Sequence, residues 1–175
     1  GVGNEAIGPA YMAEVNLGMA GLSRSRARIE AAVTFFRNQL DLGRYERGSL
    51  HYTIGNAFSA LGQEEDAKAA YEAALADPAF TNSPDLASQG HKNLGTSFER
   101  LGDEKRAVEH YREALRLNPH LPEAHNALAQ FYVRQGEWKH ALTHLDQAVF
   151  TDPTRVKAAG VAGWRANVLF NMGEG

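Results

Sequence analysis

The 175-residue chain contains no cysteine, which removes disulfides and thiolate metal sites and leaves the redox compartment undetermined. No apolar run approaches the roughly 20 residues needed to cross a bilayer, and no signal peptide is visible. The net charge is only −3, with 22% charged residues, so the strongly basic footprint of a nucleic-acid binder is missing. A glycine-rich phosphate loop, a strained nucleophile turn and a zinc-protease helix are all lacking, and the chemistries they serve are not expected. The chain opens Gly1-Val2-Gly3 rather than with methionine, which reads as an excised or processed piece. What remains is a 43% hydrophobic composition, enough to bury one core or one array of repeats.

Internal self-similarity is the strongest signal present. Take Gly55, Gly95 and Ala129 as anchors. Three residues later stand Phe58, Phe98 and Tyr132, and seven later Gly62, Gly102 and Gly136. Twelve on come Ala67, Ala107 and Ala141, sixteen on Tyr71, Tyr111 and Leu145, nineteen on Ala74, Ala114 and Ala148. Ile54, Leu94 and Leu128 precede the anchors, and Pro78, Pro119 and Pro153 close the units. Agreement in so many columns across three copies is not chance.

Each column has a physical reason. The glycines follow apolar helical stretches, where a residue able to turn left-handed ends a helix. Helical spacing resumes after them, until each proline stops the second helix by lacking an N–H and clashing with the preceding turn. Each unit is thus helix, tight turn, helix. Small residues at the anchor and twelve beyond it let the two helices approach, and the aromatic residues fill the space around them.

The pattern resembles the tetratricopeptide repeat, whose period is about 34 residues. Gly95 and Ala129 are 34 apart; Gly55 and Gly95 are 40 apart. The extra residues fall around Phe80 to Asp85. Asn82 or Ser83 is placed there to cap a helix with Pro84 at its first position, so that helix starts early. The resemblance implies an all-α, right-handed superhelical solenoid of antiparallel helix pairs, about nine helices in all. Its expected parts are a divergent N-terminal helical pair (1–47), repeats over 48–82, 83–121 and 122–155, and the first helix of a partial fourth repeat (156–175).

Both ends depart from the register. Tyr11, Val15 and Met19, and then Ile29, Val33 and Phe36, have helical spacing, predicting helices near 7–22 and 25–42. Ser23 or Ser25 would cap the second, and Gly43 would end it. At the other end Ala166, Leu169 and Gly173 are spaced like anchor, bulky residue and turn glycine, although Arg165 stands where an apolar residue belongs. This stretch also carries Val161, Trp164, Val168, Phe170 and Met172, apolar on more than one side. Cover by further repeats, or by a second copy in a homo-oligomer through the C-terminal helix, is therefore expected.

Seven histidines need a reading. His51, His91 and His125 share the column four before the anchor. Successive repeats hold such residues about 10 Å apart, too far to share an ion, so they read as packing residues inherited by duplication. His140 and His144, at i and i+4, can face one way; that surface of a second helix reads as convex and solvated, and no metal site is expected. The charged runs Glu64-Glu65-Asp66 and Asp103-Glu104-Lys105-Arg106 read as first-turn residues that complement the helix dipole and nothing more. No catalytic residue and no cofactor is expected.

Proteins resembling this family bind ligands on the concave surface lined by the first helix of each repeat. The positions there not consumed by packing are Tyr52, Thr53, Asn56 and Ser59, then Lys92, Asn93, Thr96, Glu99 and Arg100, then Asn126, Ala127, Gln130, Val133 and Arg134. The expected peptide-binding set is Tyr52, Asn56, Lys92, Asn93, Thr96, Arg100, Asn126, Gln130 and Arg134. Amide side chains carry donors and an acceptor and can read the backbone of an extended peptide, while Lys92, Arg100 and Arg134 are expected to favour an acidic segment. The carboxylate clamp of the family's chaperone-binding members is not reproduced. Its positions hold Tyr52, Asn56, Asn93, Glu123 and Ala127, of which only the asparagines match, and Glu123 has the wrong sign.

The expected function is a non-catalytic scaffold that binds a protein or peptide partner, with no nucleic acid and no membrane insertion, the cytoplasm being the favoured location. The alternative is a regulatory or self-assembly segment of a larger enzyme or multidomain protein.

Overall fold

Among the residues described by the computed structural model (26–43, 46–151 and 161–173) every regular element is a helix. In chain order these are α1 (Arg26–Leu42), α2 (Arg47–Ala60), α3 (Glu64–Leu75), α4 (Pro78–Thr81), α5 (Pro84–Arg100), α6 (Glu104–Leu117), α7 (Pro122–Arg134), α8 (Trp138–Thr151) and α9 (Val161–Asn171). The hairpins are α2 with α3, α5 with α6 and α7 with α8; α3 against α5, α6 against α7 and α8 against α9 join each hairpin to the next. The result is an all-α solenoid. No helix among the described residues is long and apolar enough to cross a membrane. The helix expected near 7–22, its neighbour's cap at Ser23 or Ser25, and Pro153 lie outside the described residues.

The turns are closed by a repeated device. Gly62, Gly102 and Gly136 have φ of 74°, 82° and 72°. Gln63 N donates to Phe58 O and Gly62 N to Ser59 O, each at 3.0 Å; Asp103 with Gly102, and Glu137 with Gly136, repeat the arrangement. These two bonds satisfy the last carbonyls of a helix that ends on a left-handed residue. Gly43 and Gly173, after α1 and α9, have the same sign of φ.

Close approach at the anchors is equally direct. A methyl group on Gly55 would lie 2.6 Å from the Tyr71 ring, and one on Gly95 would lie 3.0 Å from the Tyr111 ring. The third hairpin makes the opposite choice: Ala129 replaces the glycine and Leu145 replaces the tyrosine, both 1% exposed. Volume added on one helix is removed from its neighbour. Ala67, Ala107 and Ala141 are buried to 0%, 2% and 0% exposure. Ala107→Leu is accordingly expected to cost about 1–3 kcal/mol through overpacking. A melting temperature equal to that of the parent would show that this column is not a tight contact.

The extra residues between the first two hairpins build a helical turn that the sequence pattern did not predict. Asp77 caps it, Oδ1 accepting from Ala79 N at 2.9 Å, while Oδ2 accepts from Gly48 N at 2.6 Å and so ties the turn to the start of α2. Phe80 is thereby carried inside to 1% exposure. It sits so close to two glycines that a methyl on Gly48 would meet its Cβ at 2.5 Å and one on Gly90 its ring at 3.1 Å. Pro78 therefore opens α4 as well as following α3. The early start of α5 is present, with Ser83 accepting from Leu86 N and Pro84 in the first turn.

Candidate peptide-binding groove

A cleft of about 290 Å³ between α2 and α5 is lined by Asn56, Ser59, Ala60, Tyr71, Asn93, Thr96 and Arg100. One hydrogen-bond network floors it. Tyr71 O–H donates to Asn56 Oδ1 at 2.8 Å, Asn93 Nδ2 donates to the same oxygen at 2.8 Å, and Asn93 Nδ2 also donates to the Tyr52 hydroxyl at 3.1 Å. Burial pushes the Tyr71 phenol up, so it remains a donor. Both amides are oriented as a result. The Asn56 oxygen accepts twice and its amide also faces the Tyr52 hydroxyl; the Asn93 Nδ2 donates twice, and no bond within the described chain engages its Oδ1. The Asn93 acceptor is the complement of a peptide N–H. In the next hairpin Tyr111 takes the place of Tyr71, its O–H set between Glu99 Oε2 at 2.8 Å and Thr96 Oγ1 at 3.2 Å.

The two arginines expected to favour an acidic ligand are each paired with a glutamate of the preceding hairpin. Arg100 Nη1 donates to Ser59 Oγ at 2.8 Å and pairs with Glu64, which also accepts from Ser97 Oγ at 3.1 Å. Arg134 repeats this one hairpin later, with Nε and Nη2 on Glu104 Oε1 at 2.9 and 2.6 Å. Glu64 and Glu104 therefore do more than complement helix dipoles. The residue five after an anchor lies over the residue nine after the preceding anchor, so each pair staples neighbouring hairpins. Exposed pairs contribute only about 0–1 kcal/mol each; their main consequence here is that both guanidinium groups are already engaged.

Of the expected groove set, Asn56, Asn93, Thr96 and Arg100 line the cleft and Tyr52 joins it through Asn93. Lys92, Asn126 and Gln130 are half-buried on α5 and α7 and do not line it, nor does Arg134. Asn126 Oδ1 is buried without a hydrogen-bond partner. Thr53 is 2% exposed and donates to Ser49 O, which makes it a packing residue. Tyr71 was legible only as packing. The available signal was its hydroxyl, because a buried phenol needs a polar partner.

Four histidines form two pairs. His91 Nδ1 lies 3.0 Å from His110 Nδ1, and His125 Nδ1 lies 2.9 Å from His144 Nδ1. His91 and His125 are thus half of cross-hairpin pairs, and the recurrence of a 19-residue spacing was the sign of it. His110 stacks on Phe98 and His144 on Tyr132. His125 Nε2 is 3.1 Å from the Pro119 carbonyl, which can only accept. Nε2 therefore carries the proton, and in the neutral pair His144 Nδ1–H donates to His125 Nδ1. Desolvation lowers the pKa of all four, that of His144 to about 4. His144 is half-buried rather than on a solvated face, and His140 bonds Glu137 Oε2 at 2.8 Å instead of sharing a site with it. Among the described residues no group of three or more His, Asp or Glu is placed to hold a metal ion.

Comparison with known proteins agrees with this architecture. Two family models, each described as a tetratricopeptide repeat, match residues 52–122 and 100–162. Photosystem I assembly protein Ycf3 of Cyanophora paradoxa is 33% identical over 110 residues, 63% of this chain and 53% of the relative. The chain thus spans about half the length of that relative. Among solved structures, MamA superposes with a TM-score of 0.65 at 14% identity, over 85% of this chain and 86% of that one. YrrB, described as a TPR protein with an unusual peptide-binding site, superposes with a TM-score of 0.65 at 21% identity, over 94% of this chain and 77% of that one. At these identities the likeness to MamA and YrrB is one of fold.

Proposed function

The chain belongs to the tetratricopeptide repeat family, and from that premise we propose that it is a non-catalytic scaffold holding an extended peptide, or an extended segment of a partner protein, along the face of α2, α5 and α7. The observation that carries this reading is the oriented amide pair, Asn56 held by Tyr71 and Asn93, and Asn93 with both its Nδ2 bonds made inside the cleft and its Oδ1 engaged by no bond within the described chain. Such an acceptor suits any extended backbone, because every residue but proline offers one N–H. With Arg100 and Arg134 engaged by Glu64 and Glu104, the ligand is read through hydrogen bonds rather than charge. Lys92, Asn126 and Gln130 extend the same face. The name of the Ycf3 relative, an assembly protein, is in keeping with a surface that holds a segment of another chain.

Selection of binders from a random peptide library, followed by fluorescence anisotropy with the purified chain, tests the proposal. Asn93→Ala is expected to weaken the selected peptides about tenfold, the loss of a hydrogen bond or two at about 0.5–1.5 kcal/mol each. Tyr71→Phe, which releases the Asn56 amide, should weaken them by a smaller factor. Unchanged affinity in both variants, with melting temperatures intact, would sink the groove assignment.

A further inference from the structure

We propose that the groove has two chemically different ends. Its ligand is an uncharged extended segment whose backbone is read over α2 and α5 and whose aromatic or aliphatic side chain rests against Trp164 and Phe170 of α9. This rests on the groove reading above and adds the chemistry of the ligand.

The register of α9 is settled by two features. Gly173, with φ 76°, is the counterpart of Gly62, Gly102 and Gly136, which places the anchor at Ala166. Val168 then falls in the column of Ala57, Ser97 and Phe131, the first two 0% and 1% exposed and the third half-buried, where Ser97 reaches back to Glu64 of the preceding hairpin. Val168 is itself 0% exposed, packed with Ala129, Ala141 and Leu145 of the hairpin before it. Both features agree on one alignment.

That alignment carries the cleft positions forward. The column two before the anchor holds Thr53 (buried), Asn93, Ala127 and Trp164; the column four after holds Ser59, Glu99 (which accepts from Tyr111), Val133 and Phe170. The face is polar at the first two hairpins, aliphatic at the third and aromatic at α9. Trp164 is 39% and Phe170 79% exposed. Their exposure is not that of the face which, in the complete hairpins, packs on the second helix. That face is formed one before and three after the anchor, by Ile54 with Phe58 and by Leu94 with Phe98, and its counterparts in α9 are Arg165 and Leu169. A helix laid there would leave Trp164 and Phe170 on the groove side. A ligand already held by Asn56 and Asn93 meets them by continuing along the same columns. With about 10 Å per repeat, Asn93 and Phe170 are about 20 Å apart, the span of about six extended residues.

The test uses peptides selected from a random library, each resynthesised with its apolar residues changed to Ser. The expected result is a loss of at least tenfold in affinity for Trp164→Ser/Phe170→Ser, with the Ser-substituted peptide binding parent and variant equally weakly. Phe170→Ser alone, at the more exposed position, serves if the double variant does not fold. Peptides that depend on Asn93 but are indifferent to Trp164 and Phe170 overturn this inference and leave the groove reading standing. Peptides indifferent to Asn93 as well overturn both. A mass that doubles with concentration in light scattering, and reverts to monomer in the variant, assigns the rings to a contact between copies and also overturns it.

Discussion

Phe80→Ala is expected to lower the unfolding free energy by about 3–5 kcal/mol, the usual range for deleting a fully buried ring. The residue lies in the six-residue excess between two repeats, where a surface loop tolerant of change would be the ordinary guess. Its burial says otherwise. At 1% exposure it fills the space between Gly48 at the start of α2 and Gly90 on α5, with its ring centroid 5.5 Å from that of Tyr52. Because Tyr52 accepts from Asn93, the cavity would also loosen one support of the cleft. Urea unfolding followed by circular dichroism measures the effect. Phe80→Leu should recover much of the loss, and a change under about 1 kcal/mol for the alanine variant would show the insert to be a passenger.

Acid is expected to weaken the third hairpin before the second. The folded-state pKa values of His91, His110, His125 and His144 lie below the ordinary value of 6.5 because burial disfavours the charged ring. The unfolded chain therefore binds more protons than the folded one as pH falls below 6.5. Stability is full above that pH and declines down to about 4, the folded value for His144, below which no further loss comes from that group. Surroundings separate the two pairs. Glu72, Glu109 and Glu113 act against Arg106 and Arg116 around His91 and His110, whereas around His125 and His144 the charges of His120, His140 and Arg112 add to the lowering and only the Pro119 carbonyl, bonded to His125, opposes it. At about 1.4 kcal/mol per pH unit and proton, reduced for partial solvent screening, the third-hairpin pair should lose on the order of 2 kcal/mol. Hydrogen exchange at pH 7 and near pH 4.5 would locate the opening. Changing His125 and His144 together to Leu should flatten the pH dependence; an undiminished slope would mean other groups carry it.

Much of the architecture was legible because repetition exposes local demands. Gly62, Gly102 and Gly136 recur where the chain must turn left-handed, a requirement of the backbone at that one residue. Gly55 and Gly95 recur because a tyrosine ring lies against them, and the exchange to Ala129 with Leu145 preserves the sum of volumes. Ser83 and Pro84 mark the start of α5 by their own capping chemistry. Of the cleft, Asn56, Asn93, Thr96 and Arg100 could be found as positions left over from packing.

What each polar group does was another matter. The turn at Pro78 to Thr81 is short and has no counterpart between α6 and α7, so no column announced it, and only the space between α2 and α5 draws Phe80 inward. Arg100 and Arg134 read as available cations until the stacking of hairpins set them over Glu64 and Glu104. The histidine pairs, and the direction in which Asn56 and Asn93 present their amides, rest on bonds between residues 15 to 41 positions apart. The sequence by itself determined the repeat, its turns and its tight contacts, since each is a conformational or volume requirement met within one helix or one hairpin. Only the tertiary structure decided which polar groups satisfy one another, since a hydrogen bond depends on distance and direction between side chains that packing alone brings together.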